Sequence, residues 1–238
     1  MVQVNRQPAS NQPINLRFRF QKLGRLMYIS HLDLVRTFSK IVIRSGLPLW
    51  FTEGFIPKPK MVFAPPLSIG VEIKTEFLDL RLTERVDPAV ALAAMGRNVT
   101  DELAMLEAYY PTHKLSDIRY LSYDIRIHTT GASQALAEAC ESSLLADHVP
   151  YLKKGKKGAP DTTIDLRPGI AQLSVCYEDG DLHMTAMLDA DPCSFLNPDR
   201  LITVLKQTQG ILSDPDLTRE HVRILRKQAL LADRTVFR

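Results

Sequence analysis

The side chains of this sequence that could do chemistry gather between Gly24 and Glu72. His31 follows Ser30 at the expected first turn of a helix, with Lys22 and Arg25 a few residues upstream. A histidine placed there has the chemistry of a general base, and metal-independent RNA cleavage is the reaction it would serve. The same ring falls on one helical face with Leu34, Val35 and Phe38, which equally fits a half-buried structural histidine. Further along, Gly54-Phe55-Ile56-Pro57-Lys58-Pro59-Lys60 places two cations beside Phe55 and close to Trp50. Pro57 and Pro59 fix φ and push the residues before them toward extended backbone. A preordered loop loses less entropy on binding, and cations next to aromatic rings suit a sugar-phosphate backbone. A rigid crossover with merely solvated lysines is the other reading.

The charge distribution favours a polyanion as partner. Residues 1–60 carry 10 Lys and Arg against 2 Asp and Glu, whereas residues 61–150 carry 7 against 13. A basic N-terminal quarter concentrates RNA unless acidic neighbours in the fold offset it. Arg36, Lys40 and Arg44 recur every four residues and form one helical face, either a phosphate-binding stripe or a solvated surface. Lys153, Lys154, Lys156 and Lys157, spaced by Gly155 and Gly158, form a basic loop able to clamp a phosphate or simply to face solvent.

Glu53, Glu72, Glu76 and Asp79 are possible acid–base partners, but carboxylates on strands more often pair with nearby arginines. The sequence holds no GxxxxGK[ST], no HExxH, no nucleophile elbow and no metal-binding cluster. The cysteines Cys140, Cys176 and Cys193 are too few and too far apart for a disulfide framework or a zinc site, and are expected to be buried thiols. CxxxCxxC is absent, so no iron–sulfur cluster can be held by that motif, and no cofactor is expected. No apolar run approaches the ~20 residues of a membrane span. The opening MVQVNRQPASNQP lacks the apolar core of a signal peptide, so a cytoplasmic protein without a membrane partner is expected.

These residues need elements to hold them. Residues 1–13 read as a mobile tail. INLRFRFQ, Ile14 to Gln21, alternates strictly and predicts a half-buried strand with Arg17 and Arg19 on a basic outer face, followed by a loop at Lys22 to Arg25. Ser30-x-x-Asp33 has the form of a capping box, Ile29 and Leu34 of a hydrophobic staple, and Gly46 of a helix terminator. Leu47 to Glu53 reads as a short strand, MVFAPPLSIG as a broken one and VEIKTEFLDLRL as a strong one. Asp87-Pro88 opens a helix to about Val99, and Glu102 to Tyr110 closes the unit.

The order β-α-β-β-α-β then recurs. Leu121 to Thr129 is a strand, Ala132 to Ala146 a helix and VPYLKKGKKGAP a broken loop. Ile170 to Tyr177 and Leu182 to Leu188 form a hairpin, and Asn197-Pro198 opens the last helix in the place that Asp87-Pro88 has in the first unit. The expected fold class is α+β, with two tandem ferredoxin-like modules over residues 14–115 and 116–238. A single continuous α+β domain is the alternative.

YISHLD (Tyr28 to Asp33), GLPLWFTEGFIPKPKMVFAPPLSIGVE (Gly46 to Glu72), EFLDLRL (Glu76 to Leu82) and IDLRP (Ile164 to Pro168) together resemble the bacterial radical-SAM-associated, or radical-SAM-linked, family, a domain of unknown function. The commoner SEGFNPHPK run is replaced here by Thr52, Ile56 and Lys58 in its variable places. In that family the domain is fused to, or encoded near, a cobalamin-binding radical SAM enzyme, so the resemblance implies such a protein as a partner and RNA modification or processing as a setting. Tandem ferredoxin-like units also build RNA-cleaving enzymes that process CRISPR repeats, an analogy of fold alone. The expected function is non-catalytic RNA binding. Lys22, Arg25, Arg36, Lys40, Trp50, Gly54, Phe55, Lys58, Lys60 and the four lysines at 153–157 are its contacts. An endoribonuclease with His31 as base and an adaptor for a radical SAM enzyme are the alternatives.

Overall fold

A computed structural model describes residues 12–63, 68–155 and 159–238. The expected tail lies outside these residues except for its last two positions. The chain divides into two compact units, one running to Asp117 and including Phe237 and Arg238, the other spanning Ile118–Val236. Both have the βαββαβ ferredoxin-like plan.

In the first unit, strand β1 (Ile14–Lys22) lies between β3 (Val71–Leu82) and β4 (Met105–Tyr109), antiparallel to both. The short β2 (Met61–Phe63) pairs with β3, giving the order β4-β1-β3-β2. Leu16, Phe18 and Phe20 are fully buried, as their period of two requires. Helix α1 (His31–Ser45) turns Leu34, Phe38, Ile41 and Val42 inward, with Phe38 against Phe20 at a ring separation of 4.8 Å. Its ends are closed by its own sequence. Ser30 Oγ accepts from the Asp33 amide at 3.1 Å, and Gly46 takes the left-handed conformation at φ 71°. Helix α2 (Pro88–Gly96) is capped by Asp87, which accepts from the Ala89 and Val90 amides.

The opposite face of β1 differs from expectation. Arg17 is fully buried, not exposed. Its guanidinium donates to both oxygens of Asp79, at 2.6 and 2.9 Å, and lies 4.8 Å from the centre of the Phe237 ring. Such a charge tolerates burial because its partner is buried with it, and stripping one partner from a pair of this kind costs about 3–5 kcal/mol. Arg19 remains partly exposed beside Glu107 at 3.3 Å. Lys22 is the last residue of β1 rather than part of a loop, and it is fully buried.

In the second unit, β5 (Tyr120–His128) is central, paired with β10 (His221–Leu230) and β9 (Asp181–Asp189), and β8 (Ile170–Glu178) pairs with β9. The order β10-β5-β9-β8 repeats that of the first unit. Helix α3 (Gln134–Leu145) buries Ala137, Cys140 and Leu144, and α4 (Pro198–Gln209) is capped by Asn197 through the Asp199 amide at 3.0 Å. The stretch expected as a broken loop instead contains a hairpin, β6 (Pro150–Lys153) with β7 (Thr162–Asp165). Of the three thiols only Cys140 is buried, and burial pushes it up to about 11. Cys176 points outward from β8 and Cys193 lies in a loop, both exposed, which corrects the expectation of three buried thiols. No described helix is long and apolar enough to cross a membrane.

Candidate nucleic-acid interface

Between α1 and β2 the backbone makes an arch instead of the strand expected at 47–53. Trp50 N donates to Arg81 O at 2.9 Å, and Lys60 N to Trp50 O at 2.9 Å, anchoring the base on β3. Higher up, Thr52 N donates to Lys58 O at 2.9 Å, and the Thr52 hydroxyl accepts from Lys58 N at 3.1 Å. Pro59, opposite Phe51, is buried and lacks an N–H to leave unpaired. At the tip Gly54 has φ 129°, a conformation that side chains resist. Phe55 beside it is fully exposed and Ile56 nearly so, whereas Trp50 is half-buried at the base. An aromatic ring held clear of the core on a braced arch exposes a stacking surface.

Strict alternation gives the arch a direction. Pro59, Met61 and Phe63 turn toward the helices, while Lys58, Lys60 and Val62 are exposed. Phe63 meets Phe38 at 5.4 Å and Phe20 at 6.4 Å, which fixes that side as the helix side. Lys58 and Lys60 therefore face away from α1, and neither forms an ion pair among the described residues.

His31 lies on the helix side. Its ring meets Phe63 edge-on at 5.8 Å, and its Nδ1 is enclosed with no hydrogen-bond partner among the described residues. No carboxylate among the described residues orients the ring, so it has the surroundings of a core wall rather than of an activated base. Arg36 is bound to Asp33 at 2.9 Å, and the Ser30 hydroxyl followed by Arg36 holds the Asp33 carboxyl below its usual range. Arg25 lies 3.7 Å from Glu102, and Lys40 is exposed on the outer side of α1. Burial removes Lys22 from any phosphate contact, a correction to the expected set. The cations that sequence spacing grouped into one stretch thus occupy two sides of the first unit.

In the second unit Lys153 ends β6 and Lys154 follows it, both exposed; Lys156 and Lys157 lie outside the described residues. Lys153 borders a cleft of about 680 Å³ with Arg119 and Arg200. There Arg119 is already engaged, by Asp189 at 3.1 Å and Asp191 at 3.2 Å. The Asp165 of IDLRP is a turn builder. A hydrogen bond from His148, then the amides of Val149 and Arg167, hold it at about 2.

Of the four carboxylates considered for acid–base work, Glu53 is exposed on the arch and the other three are employed in structure. Asp79 holds Arg17, Glu72 accepts from the Gly24 amide at 2.8 Å, and Glu76 is buried, accepting from the Phe77 amide. Among the described residues no group of three or more His, Cys, Asp or Glu could hold a metal. Sequence reasoning missed Arg81, Arg85 and Lys114, which border a second cleft, in the first unit. The alternation of β3 puts Arg81 on the same face as Asp79, a readable signal; Arg85 and Lys114 lie in connections with no pattern to read.

The backbone is similar to a chain in the crystal structure of a Cbf5–Nop10–Gar1 complex, at 9% identity and a TM-score of 0.50, over 89% of this chain and 48% of that one. The present chain thus spans about half that chain's length, and the likeness is one of fold. A crystal structure of an unknown protein from Galdieria sulphuraria is matched over 90% of this chain and 99% of that one, at 11% identity and a TM-score of 0.25. No curated protein matches the chain. The sequence profile of the family described as "Uncharacterized protein conserved in bacteria (DUF2344)" matches residues 15–198, and the chain belongs to that family.

Proposed function

We propose that this protein binds RNA without cutting it, through the arch at residues 50–60, as an accessory to a radical SAM modification system. The observation that carries the reading is the tip itself: Phe55 fully exposed on a proline-braced arch, with Lys58 and Lys60 beside it and free of carboxylate partners among the described residues. A base stacks on the ring while the ammonium groups meet the flanking phosphates. Arg25, Arg36 and Lys40 belong to the α1 side and Lys153 and Lys154 to the second unit, so the arch is the contact on which this reading depends. The radical SAM setting rests on the resemblance of the runs around Tyr28–Asp33, Gly46–Glu72 and Ile164–Pro168.

Filter binding with structured RNA at low salt tests the proposal. Affinity is expected to fall by roughly tenfold or more on Lys58→Ala with Lys60→Ala, and on Phe55→Ala, since stacking contributes ~1–3 kcal/mol per base. Absence of RNA binding at low salt overturns it. Cleavage in EDTA that disappears on His31→Ala replaces it with an endoribonuclease. Co-purification with the radical SAM protein that survives nuclease replaces it with an adaptor.

A further inference from the structure

We propose that the open cleft at the end of β3 in the first unit is a binding site for a phosphate monoester carried on a nucleoside. The cleft encloses about 580 Å³, within the size range of small-ligand sites. Arg81 lines it from the end of β3, Arg85 from the connection to α2, and Lys114 from the segment after β4. None of the three forms an ion pair among the described residues. The one carboxylate on the wall, Asp79, is fully committed: Arg17 takes both of its oxygens and Asn15 Nδ2 donates to Oδ2 at 2.7 Å. Just beyond the wall Asp117 accepts from the Lys114 amide at 2.8 Å and lies 3.9 Å from His113, so the cations lining the cleft still outnumber the carboxylates beside them, and an anion of high charge density balances that excess.

The cleft is also held in shape. Tyr110 donates its hydroxyl to Val86 O at 2.8 Å and accepts from Val86 N at 2.9 Å, fixing ring and loop together. The Arg85 guanidinium lies 4.5 Å from the centre of that ring, so its orientation is set before any ligand arrives. Thr112 and Ser116 supply hydroxyl groups suited to sugar hydroxyls. A terminal phosphate carries −1.5 to −2 charges against −1 for an internal diester, and the excess of cations favours the former.

The nucleoside part rests on the RNA reading above, because the cleft adjoins the arch: Val62 borders it, and Arg81 N donates to Lys60 O at 3.0 Å. Recognition of the phosphate stands on the cleft alone. The ligand is then either the end of an RNA strand or a free nucleotide, two sources of one chemistry.

Isothermal titration of the full chain with adenosine monophosphate, with adenosine and inorganic phosphate as controls, tests the proposal. The monophosphate is expected to bind more tightly than adenosine. Arg85→Gln and Lys114→Gln, both at exposed positions, are each expected to weaken it by roughly tenfold with an unchanged melting temperature. Fluorescence anisotropy on RNA with and without terminal phosphates separates the sources: a gain from the phosphate that Arg85→Gln abolishes assigns the strand end, and no gain assigns the free nucleotide. Monophosphate binding that survives both cleft variants, or none at millimolar concentration, overturns the proposal even where RNA binding through the arch holds. Cleft-dependent monophosphate binding without RNA affinity leaves the cleft standing and removes the RNA reading.

Discussion

Glu220 is enclosed where β10 begins, and its carboxylate accepts from the Thr130 amide at 2.7 Å, the Asp214 amide at 2.5 Å and the Thr129 hydroxyl at 2.7 Å. These bonds, the two amides first, hold it at about 2, against an ordinary 4.5. Thr129 and Thr130 lie in the β5–α3 turn and Asp214 in the α4–β10 connection, so the carboxylate joins the two. A carboxyl held low in the folded state binds its proton more readily when unfolded. Its stabilisation is therefore complete above about pH 4.5 and is lost as the pH falls through about 2. Glu220→Gln swaps one accepting oxygen for an amide that cannot accept from Asp214 N. The variant is expected to melt below the parent at pH 7, and the gap is expected to close between about pH 4.5 and pH 2. Melting curves by circular dichroism across that range check this; a gap independent of pH refutes it.

The arch occupies the slot between the first helix and the second strand of its module. In the second unit the same slot holds the β6–β7 hairpin, so the two modules share one plan and differ in what they insert there. Gly54→Ala meets no atom within 4 Å, so its cost is conformational alone, about 1–3 kcal/mol for a side chain at that φ. A surface arch relieves such strain locally, by bending at the tip. The variant is expected to keep its melting temperature within ~2 °C while losing RNA affinity several-fold. Unchanged affinity would mean that the shape of the tip is not used. What sequence revealed about these elements follows from the range of the forces involved. Ser30, Gly46, Asp87 and Asn197 close helices through partners within a few residues, so their roles are written locally. Strand β6 reads Pro150-Tyr151-Leu152-Lys153, too short and too exposed to alternate, and it left no pattern. Leu47 to Glu53 looks apolar enough for a strand, but only isolated bridges form there because Pro57 and Pro59 fold the chain back on itself. Arg17 could not be placed because its partner lies 62 residues away.

Charge sorts by unit across the whole molecule. Residues 1–117 with 237–238 carry 16 Lys and Arg against 11 Asp and Glu, and residues 118–236 carry 14 against 16. A polyanion is drawn to the first unit, yet much of that unit's surplus is spent internally. Arg17 and Lys22 are buried, and Arg19, Arg25 and Arg36 have carboxylate neighbours. The cations still able to displace counterions from RNA are fewer than composition implies, and Lys58 and Lys60 are two of them. Each phosphate neutralised adds ~0.7 to the slope of log K against log salt for a single strand and ~0.9 for a duplex. Lys58→Ala with Lys60→Ala is thus expected to lower the magnitude of that slope by about 1.4–1.8. Arg36→Ala is expected to leave it unchanged, because its charge is already matched by Asp33 at 2.9 Å. Anisotropy titrations from about 50 to 200 mM salt read both slopes. An equal fall for the two variants would mean that RNA responds to the net charge of the unit and not to the arch.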